Sequence, residues 1–352
     1  MIAILGMCKN AGKTTVLNRL INEYRSSGRS LAVTSVGRDG EGVDLVTGTA
    51  KPPIYIHEGM LAATASGLFP FSDVSRELLD VTDTATPLGN VTVFKARSGG
   101  FVQLAGPSSI SDMSRLCLRL RELGAETVLI DGALDRLSPA AAALDGVCIL
   151  STGASLDTDM GAVVAETAFI CRVLTLPECG VVLIRNAECG IAQMRNAECG
   201  MRNYSNAELL KCGKRYGAFS GERFEWADSV EGLCLVLRHF NADGILFSGA
   251  LTDTAARAIA RSGAKLEGMK LIVEDSSRML VKSDMFERLI SCGAEFLVRR
   301  ATTLAAVTVN PVSAGGWRFD AERFLEEMQN AVAVPVVDVG DAEFGMGLMQ
   351  NA

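Results

Sequence analysis

Ile2-Ala3-Ile4-Leu5-Gly6-Met7-Cys8-Lys9-Asn10-Ala11-Gly12-Lys13-Thr14-Thr15 runs straight into the helical pattern VLNRLINEYRSSG. An apolar run of strand length, a glycine-bearing turn and a helix start, in that order, aim several backbone N–H groups at one point, where the helix dipole adds roughly half a positive charge. That point is a phosphate site. Gly6, Lys9, Asn10, Ala11, Gly12, Lys13, Thr14 and Thr15 are expected around it. The Lys13 ammonium is set against the β- and γ-phosphates, and the Thr14 hydroxyl joins the shell of a Mg²⁺ that bridges them. The expected ligands are therefore Mg²⁺ and a nucleoside triphosphate, ATP or GTP.

Outward from this loop the chain alternates strand and helix. Ser30–Val36 reads as a second strand ending at Gly37-Arg38-Asp39-Gly40-Glu41, Ile54–Ile56 as a short strand, Gly59–Ala65 as the start of an alanine-rich helix, and residues 90–105 as β-rich. A helix opens at Ser111-Asp112-Met113 and stops at Gly124; strands follow at Thr127–Ile130, before Asp131-Gly132-Ala133, and at Gly146–Leu150. This is the α/β, doubly wound pattern of a mostly parallel sheet, whose ligands sit at the carboxyl ends of the strands. Residues 1–234 are read as the nucleotide-binding domain and 235–352 as a smaller α/β unit without a phosphate loop of its own, either separate or extending the first sheet. Between them, at about 185–212, lie RNAECGIAQM, RNAECGMRNY and the partial copy SNAELLKCG. Ten steps of a helix turn about 1000°, so Cys189 and Cys199 do not share a face, and the repeat reads as a duplicated surface segment rather than a metal patch with Cys212.

The 352 residues suffice for about two domains with developed cores. A hydrophobic content of 48% with only 6% aromatics suits buried parallel strands under helices. The net charge of −7 argues against a nucleic-acid backbone as partner. No stretch of about 18 apolar residues offers a membrane span, and no signal or transit peptide is read before the first strand. The ten cysteines form no C-x-x-C, so they are expected as small buried thiols of a cytoplasmic protein. His57 and His239 have no neighbouring ligand at zinc spacing.

Phosphoryl chemistry also needs a carboxylate for Mg²⁺ or its waters, usually from a neighbouring strand end. Asp131, after Val128-Leu129-Ile130, is the first candidate, and Asp39, after the second strand, is the next; with Thr14 they complete the expected metal set. Arg38 offers a planar donor fork to a γ-phosphate or an anionic substrate. Lys51 and Glu58 lie on a segment rich in turn residues.

Five residues, not four, separate Gly6 from Gly12. This G-x5-G-K-T spacing resembles the dethiobiotin synthetase and cobyrinic acid diamide synthase branch of P-loop proteins, in the SIMIBI class, and more loosely the MobB-type nucleotide-binding proteins; the likeness covers residues 2–20. Asp131-Gly132-Ala133 is similar to the acidic-Gly-Ala strand end of dethiobiotin synthetases, and the resemblance gives an adenine-reading asparagine at Asn186, after the strand VVLI. Lys9 resembles the signature lysine of the ParA-like subgroup, but it stands four residues before Lys13 where that pattern needs five, and Cys8 occupies the required place. Where dethiobiotin synthetases carry a lysine-proline substrate segment this chain has Val36-Gly37-Arg38-Asp39, so carboxylation of a diaminononanoate is not expected.

Two functions follow. One is an ATP-dependent ligase or kinase-like enzyme acting on a small metabolite. The other is a Mg²⁺-dependent nucleoside triphosphatase that serves as a switch or maturation factor, with a protein partner or a second copy of itself. No second-substrate constellation is legible, which favours the second. VTSVGRDGEGVD, TAKPPIYIHEG and TVNPVSAGG make the whole chain similar to P-loop proteins associated with bacterial amino-acid aminomutases, including reactivating factors for a cobalamin-dependent enzyme, although no residue reads as a cobalamin ligand.

Overall fold

The computed structural model describes residues 1–39, 53–133, 146–179, 215–221 and 223–340; the side chains of residues 38, 39 and 133 are outside that description. From the N-terminus the elements are β1 (Ile2–Gly6), α1 (Lys13–Ser26), β2 (Leu31–Ser35), β3 (Gly37–Asp39), β4 (Ile54–Ile56), β5 (Leu61–Ala65), β6 (Arg76–Thr86), β7 (Gly89–Ala96), β8 (Gly100–Val102), β9 (Leu104–Gly106), α2 (Ile110–Glu122), β10 (Thr127–Ala133), β11 (Val147–Gly153) and α3 (Met160–Leu174). Next come β12 (Tyr216–Ser220), β13 (Arg223–Ala227), α4 (Val230–His239), β14 (Gly244–Phe247), β15 (Leu251–Thr252), α5 (Asp253–Arg261), β16 (Lys270–Val273), β17 (Met279–Leu280), α6 (Ser283–Ser291) and β18 (Glu295–Val298). The last elements are β19 (Thr303–Asn310), α7 (Ala321–Ala331) and β20 (Val336–Asp338).

The chain divides into two compact units, one of residues 1–172 with 302–352 and the other of residues 173–301. This differs from the expected division at 234/235. Residues 235–301 belong to the second unit, but β19 pairs in parallel with β11 and β20 with β19, so the last strands extend the first sheet. A sheet with an open parallel edge gains more ladder hydrogen bonds and burial from two further strands than a short separate unit would.

That first sheet runs β20-β19-β11-β1-β10-β2-β5-β7-β6. Neighbours are parallel from β20 to β5, and the β6–β7 hairpin adds antiparallel pairing at one edge. Strands covered on both faces need apolar residues at every position rather than alternation, and all five residues of β1 and of β2 are buried. Val16, Leu17, Leu20 and Ile21 of α1 pack into the same core as Ile2, Ile4, Val33 and Phe94. The stretch expected to start a helix at Gly59–Ala65 is instead β5, with Leu61–Ala65 wholly buried between β2 and β7. Its alanines favour a helix locally, and the pairing on both sides overrides that preference.

The second unit holds a five-stranded sheet, β13-β12-β14-β16-β18. The β12–β13 hairpin is antiparallel, and β14, β16 and β18 run parallel. Cys179, Phe219, Leu246 and Ile272 form a core cluster there.

Of the cysteines expected to be buried, Cys117, Cys148, Cys171 and Cys179 are, whereas Cys8 and Cys234 are half-buried and Cys292 is exposed. Burial pushes the Cys148 thiol up to about 12, which keeps it protonated and unreactive at neutral pH. Among the described residues no helix is long and apolar enough to cross a membrane.

Where β2 ends, the backbone of β9 crosses so closely that a Cβ on Gly106 would lie 2.1 Å from the Ser35 carbonyl oxygen. A backbone oxygen cannot rotate away as a side chain can. Gly106→Ala is therefore expected to lower stability by roughly 2 kcal/mol, read as a lower urea midpoint with unchanged slope.

Candidate functional site

The stretch expected to hold phosphates, residues 6–15, forms the end of β1, the turn that follows and the start of α1. Asn10 and Gly12 carry positive φ, 62° and 95°. Two left-handed residues so close together fold the chain back on itself. Glycine adopts this conformation without steric cost and asparagine tolerates it better than most residues. Gly12 is doubly constrained, since a Cβ there would meet Val339 Cγ1 at 3.1 Å. Ala11 is fully buried, Lys13, Thr14 and Thr15 are half-buried, and Lys9 is exposed.

Lys13 does not point into solvent along the helix. Its side chain folds back over the end of β1, where a Cβ on Gly6 would stand 2.5 Å from Lys13 Cδ and 2.6 Å from Nζ. Gly6 thus makes room for the ammonium at the loop. The same charge favours the Cys8 thiolate, but burial outweighs it and holds the thiol above its ordinary range.

The start of α1 differs from those of α2, α4, α5 and α7. Ser109, Ser229, Thr252 and Asp320 cap α2, α4, α5 and α7 with their side chains, and each of those helices has an acidic residue in its first turn. At α1 the cap position is Gly12, no side chain caps the helix, and the first turn has no acid. The positive end of this helix dipole therefore has no anionic side chain of its own next to Lys13.

Neighbouring strand ends hold the loop in place. Met7 N–H donates to the Ser151 carbonyl at 3.0 Å, continuing the β1–β11 pairing beyond Gly6. The Thr308 hydroxyl donates to Ser151 Oγ at 2.9 Å, which ties β19 to β11 at that level. From the end of β19, Asn310 Nδ2 donates to the Asn10 carbonyl at 3.0 Å, while its Oδ1 accepts from Val312 N–H at 3.1 Å. Both ends of the amide are used, and the left-handed Asn10 is fixed from 300 positions away. The sequence reading missed Asn310; its only signal is the polar residue before Pro311 that ends the run Val307-Thr308-Val309.

Asp131 lies on β10, the strand next to β1, opposite Ile4 and opposite Ser35 of β2. It is fully buried. One strand over and two residues short of Gly6, its Cα is about 8 Å from the Gly6 Cα by ordinary strand spacing. Its carbonyl accepts from Val36 N–H at 2.8 Å, so β10 is bonded to the residue that leads into β3. Asp39 is the last residue of β3, opposite Leu104 of β9, in a two-stranded ribbon outside the main sheet. The structure thus brings Asp131 beside β1 and puts Asp39 on a ribbon outside the main sheet. Arg38 precedes Asp39 in that ribbon, opposite Ala105. Glu58 is exposed in the turn before β5, whereas Lys51, Asn186 and the decapeptide repeat lie outside the described residues.

Removing the Asn310 amide leaves the Asn10 carbonyl without that donor. Asn310→Ala is expected to cost about 1 kcal/mol of stability and to weaken several-fold the triphosphate binding expected from the sequence, because the loop would then have to be ordered by its ligand. Thermal unfolding and calorimetric titration of one preparation check both. No protein-family model, curated protein or solved structure matches this chain.

Proposed function

We propose that the chain is a P-loop, Mg²⁺-dependent nucleoside triphosphatase that acts as a nucleotide-driven switch on a protein partner. The observation that carries this reading is the loop itself: Lys13 folded back over Gly6, left-handed Asn10 and Gly12, and a helix start with neither cap nor acid. These features fit a chain of phosphates. The loop amide N–H groups donate to the phosphate oxygens, Lys13 neutralises their charge, and Thr14 with Asp131 offers the oxygen ligands that a small hard cation takes. Mg²⁺, when bound, spreads the charge that develops on the transferred phosphoryl group. Asp131 is the carboxylate for the metal or its waters, and its burial strengthens any charge it holds.

The bond from Val36 N–H to the Asp131 carbonyl supports a switch rather than a metabolite enzyme. A displacement of Asp131 on loss of the γ-phosphate passes directly to the backbone that enters β3, whose ribbon with β9 is outside the main sheet. The hydroxyls of Ser151 and Thr152 near the end of β11 are bonded to neighbouring elements, to Thr308 of β19 and to Thr167 of α3, instead of forming a charged set for a second small substrate.

Capture of proteins from the source cell on the immobilised chain, with ATPγS and ADP in parallel, tests the reading. A partner retained in one nucleotide state and released in the other is expected. Turnover of ATP that rises only with a small metabolite, with no state-dependent partner, would move the protein to the ligase or kinase class.

A further inference from the structure

A nucleotide held by its phosphates must place its base somewhere along the carboxyl edge of the sheet, and the strand order says where. The chain builds β2 on one side of β1, and β10 lies on that side too, before it steps across to β11 on the other. The crevice at such a reversal lies between β1 and β11, and ligands in open α/β sheets extend over it. The segments bordering that crevice are the loop after β11 and the next one outward, after β19.

These two loops are joined to each other and to the phosphate loop. Ala154 N–H donates to the Asn310 carbonyl at 2.9 Å, and Ala314 N–H donates to Ser155 Oγ at 3.3 Å. Trp317 Nε1 donates to the Ala154 carbonyl at 2.9 Å. Ser313 N–H closes the β19 loop on the Trp317 carbonyl at 2.9 Å. The indole is fixed by these bonds and lies so close to Gly315 that a Cβ there would come 2.0 Å from the ring. Yet Trp317 keeps 39% of its surface exposed. A large aromatic ring whose single polar atom is already bonded, held rigid and half-open to solvent, offers carbon surface and little else.

We propose that Trp317 is the platform on which the base of the bound nucleotide stacks. The inference rests on the phosphate-loop reading and adds the part of the ligand that the loop does not touch. Stacking accepts any base through its π-face and favours the larger ones. The site therefore takes purine nucleoside triphosphates with little distinction between ATP and GTP, and pyrimidine nucleotides more weakly.

The test compares Mg·ATP with inorganic tripolyphosphate, which carries the phosphates and no base, on the full chain. In Trp317→Ala, ATP affinity is expected to fall roughly tenfold while tripolyphosphate affinity stays as in the parent, and Trp317→Phe is expected to recover most of the loss. An unchanged ATP affinity, or equal losses for both ligands, would overturn the platform. Tripolyphosphate binding that Lys13→Ala does not weaken would instead refute the phosphate loop, and the platform with it. A second readout needs no change at Trp317. The chain has two tryptophans, and Trp226→Phe leaves Trp317 as the sole indole. Its fluorescence is expected to be quenched by saturating ATP and not by tripolyphosphate; the same emission with both ligands would contradict stacking.

Discussion

Lys13→Ala is expected to weaken Mg·ATP binding by tenfold or more, about 1.4 kcal/mol or above, while the fold is retained. The ammonium folds back over the end of β1, and the half-buried loop screens it less than an exposed lysine. Lys9, exposed on the loop, is the internal comparison. Lys9→Ala should cost much less, and that smaller loss should shrink further as salt is raised. Calorimetric titration of both variants, with circular dichroism to establish folding, checks the pair. Equal affinity in the parent and in a folded Lys13→Ala chain would remove the phosphate loop.

Asp131→Asn is expected to separate binding from chemistry. The substitution keeps the size of a fully buried side chain but removes its charge. ATP hydrolysis should fall roughly a hundredfold or more, while nucleotide binding falls by less, because a carboxylate that orients Mg²⁺ or the attacking water contributes most in the transition state. Single-turnover hydrolysis set beside equilibrium binding distinguishes the two effects. Losses of the same size in both, or in neither, would move the role to another carboxylate. Asp39, on the ribbon outside the main sheet, would be tested next.

The parts legible in the sequence are those with local causes. β1, the loop and α1 were visible because the apolar run, the glycines and the helix pattern sit within about 25 consecutive residues and need no distant partner. Asp131 stood out as an acid directly after the apolar run Val128-Leu129-Ile130, but β10 continues past it to Ala133, because Gly132 and Ala133 still pair with β1, so it lies within the strand and not after its end. Asn310 was not visible, because its meaning depends on β19 returning to lie beside β11, and strand order is not written in any one segment. The same return hid the true division of the chain: residues 302–340 alternate strand and helix as a separate unit would, and only the pairing assigns them to the first sheet. β5 was misread because alanine, methionine and leucine favour helices wherever flanking strands do not claim them. β6 was passed over because acids and threonines interrupt its apolar residues and, as an edge strand, it buries none of its residues fully, so no apolar run marks it.

Equilibrium titration of the intact chain with Mg·ATP decides whether this loop holds a nucleotide. One triphosphate per chain is predicted, with saturation reached below about 1 mM, competition by GTP and loss of binding in Lys13→Ala. A folded chain that binds no Mg·ATP over that range, or that binds it equally well without the Lys13 ammonium, would contradict the assignment of residues 6–15 as a phosphate site.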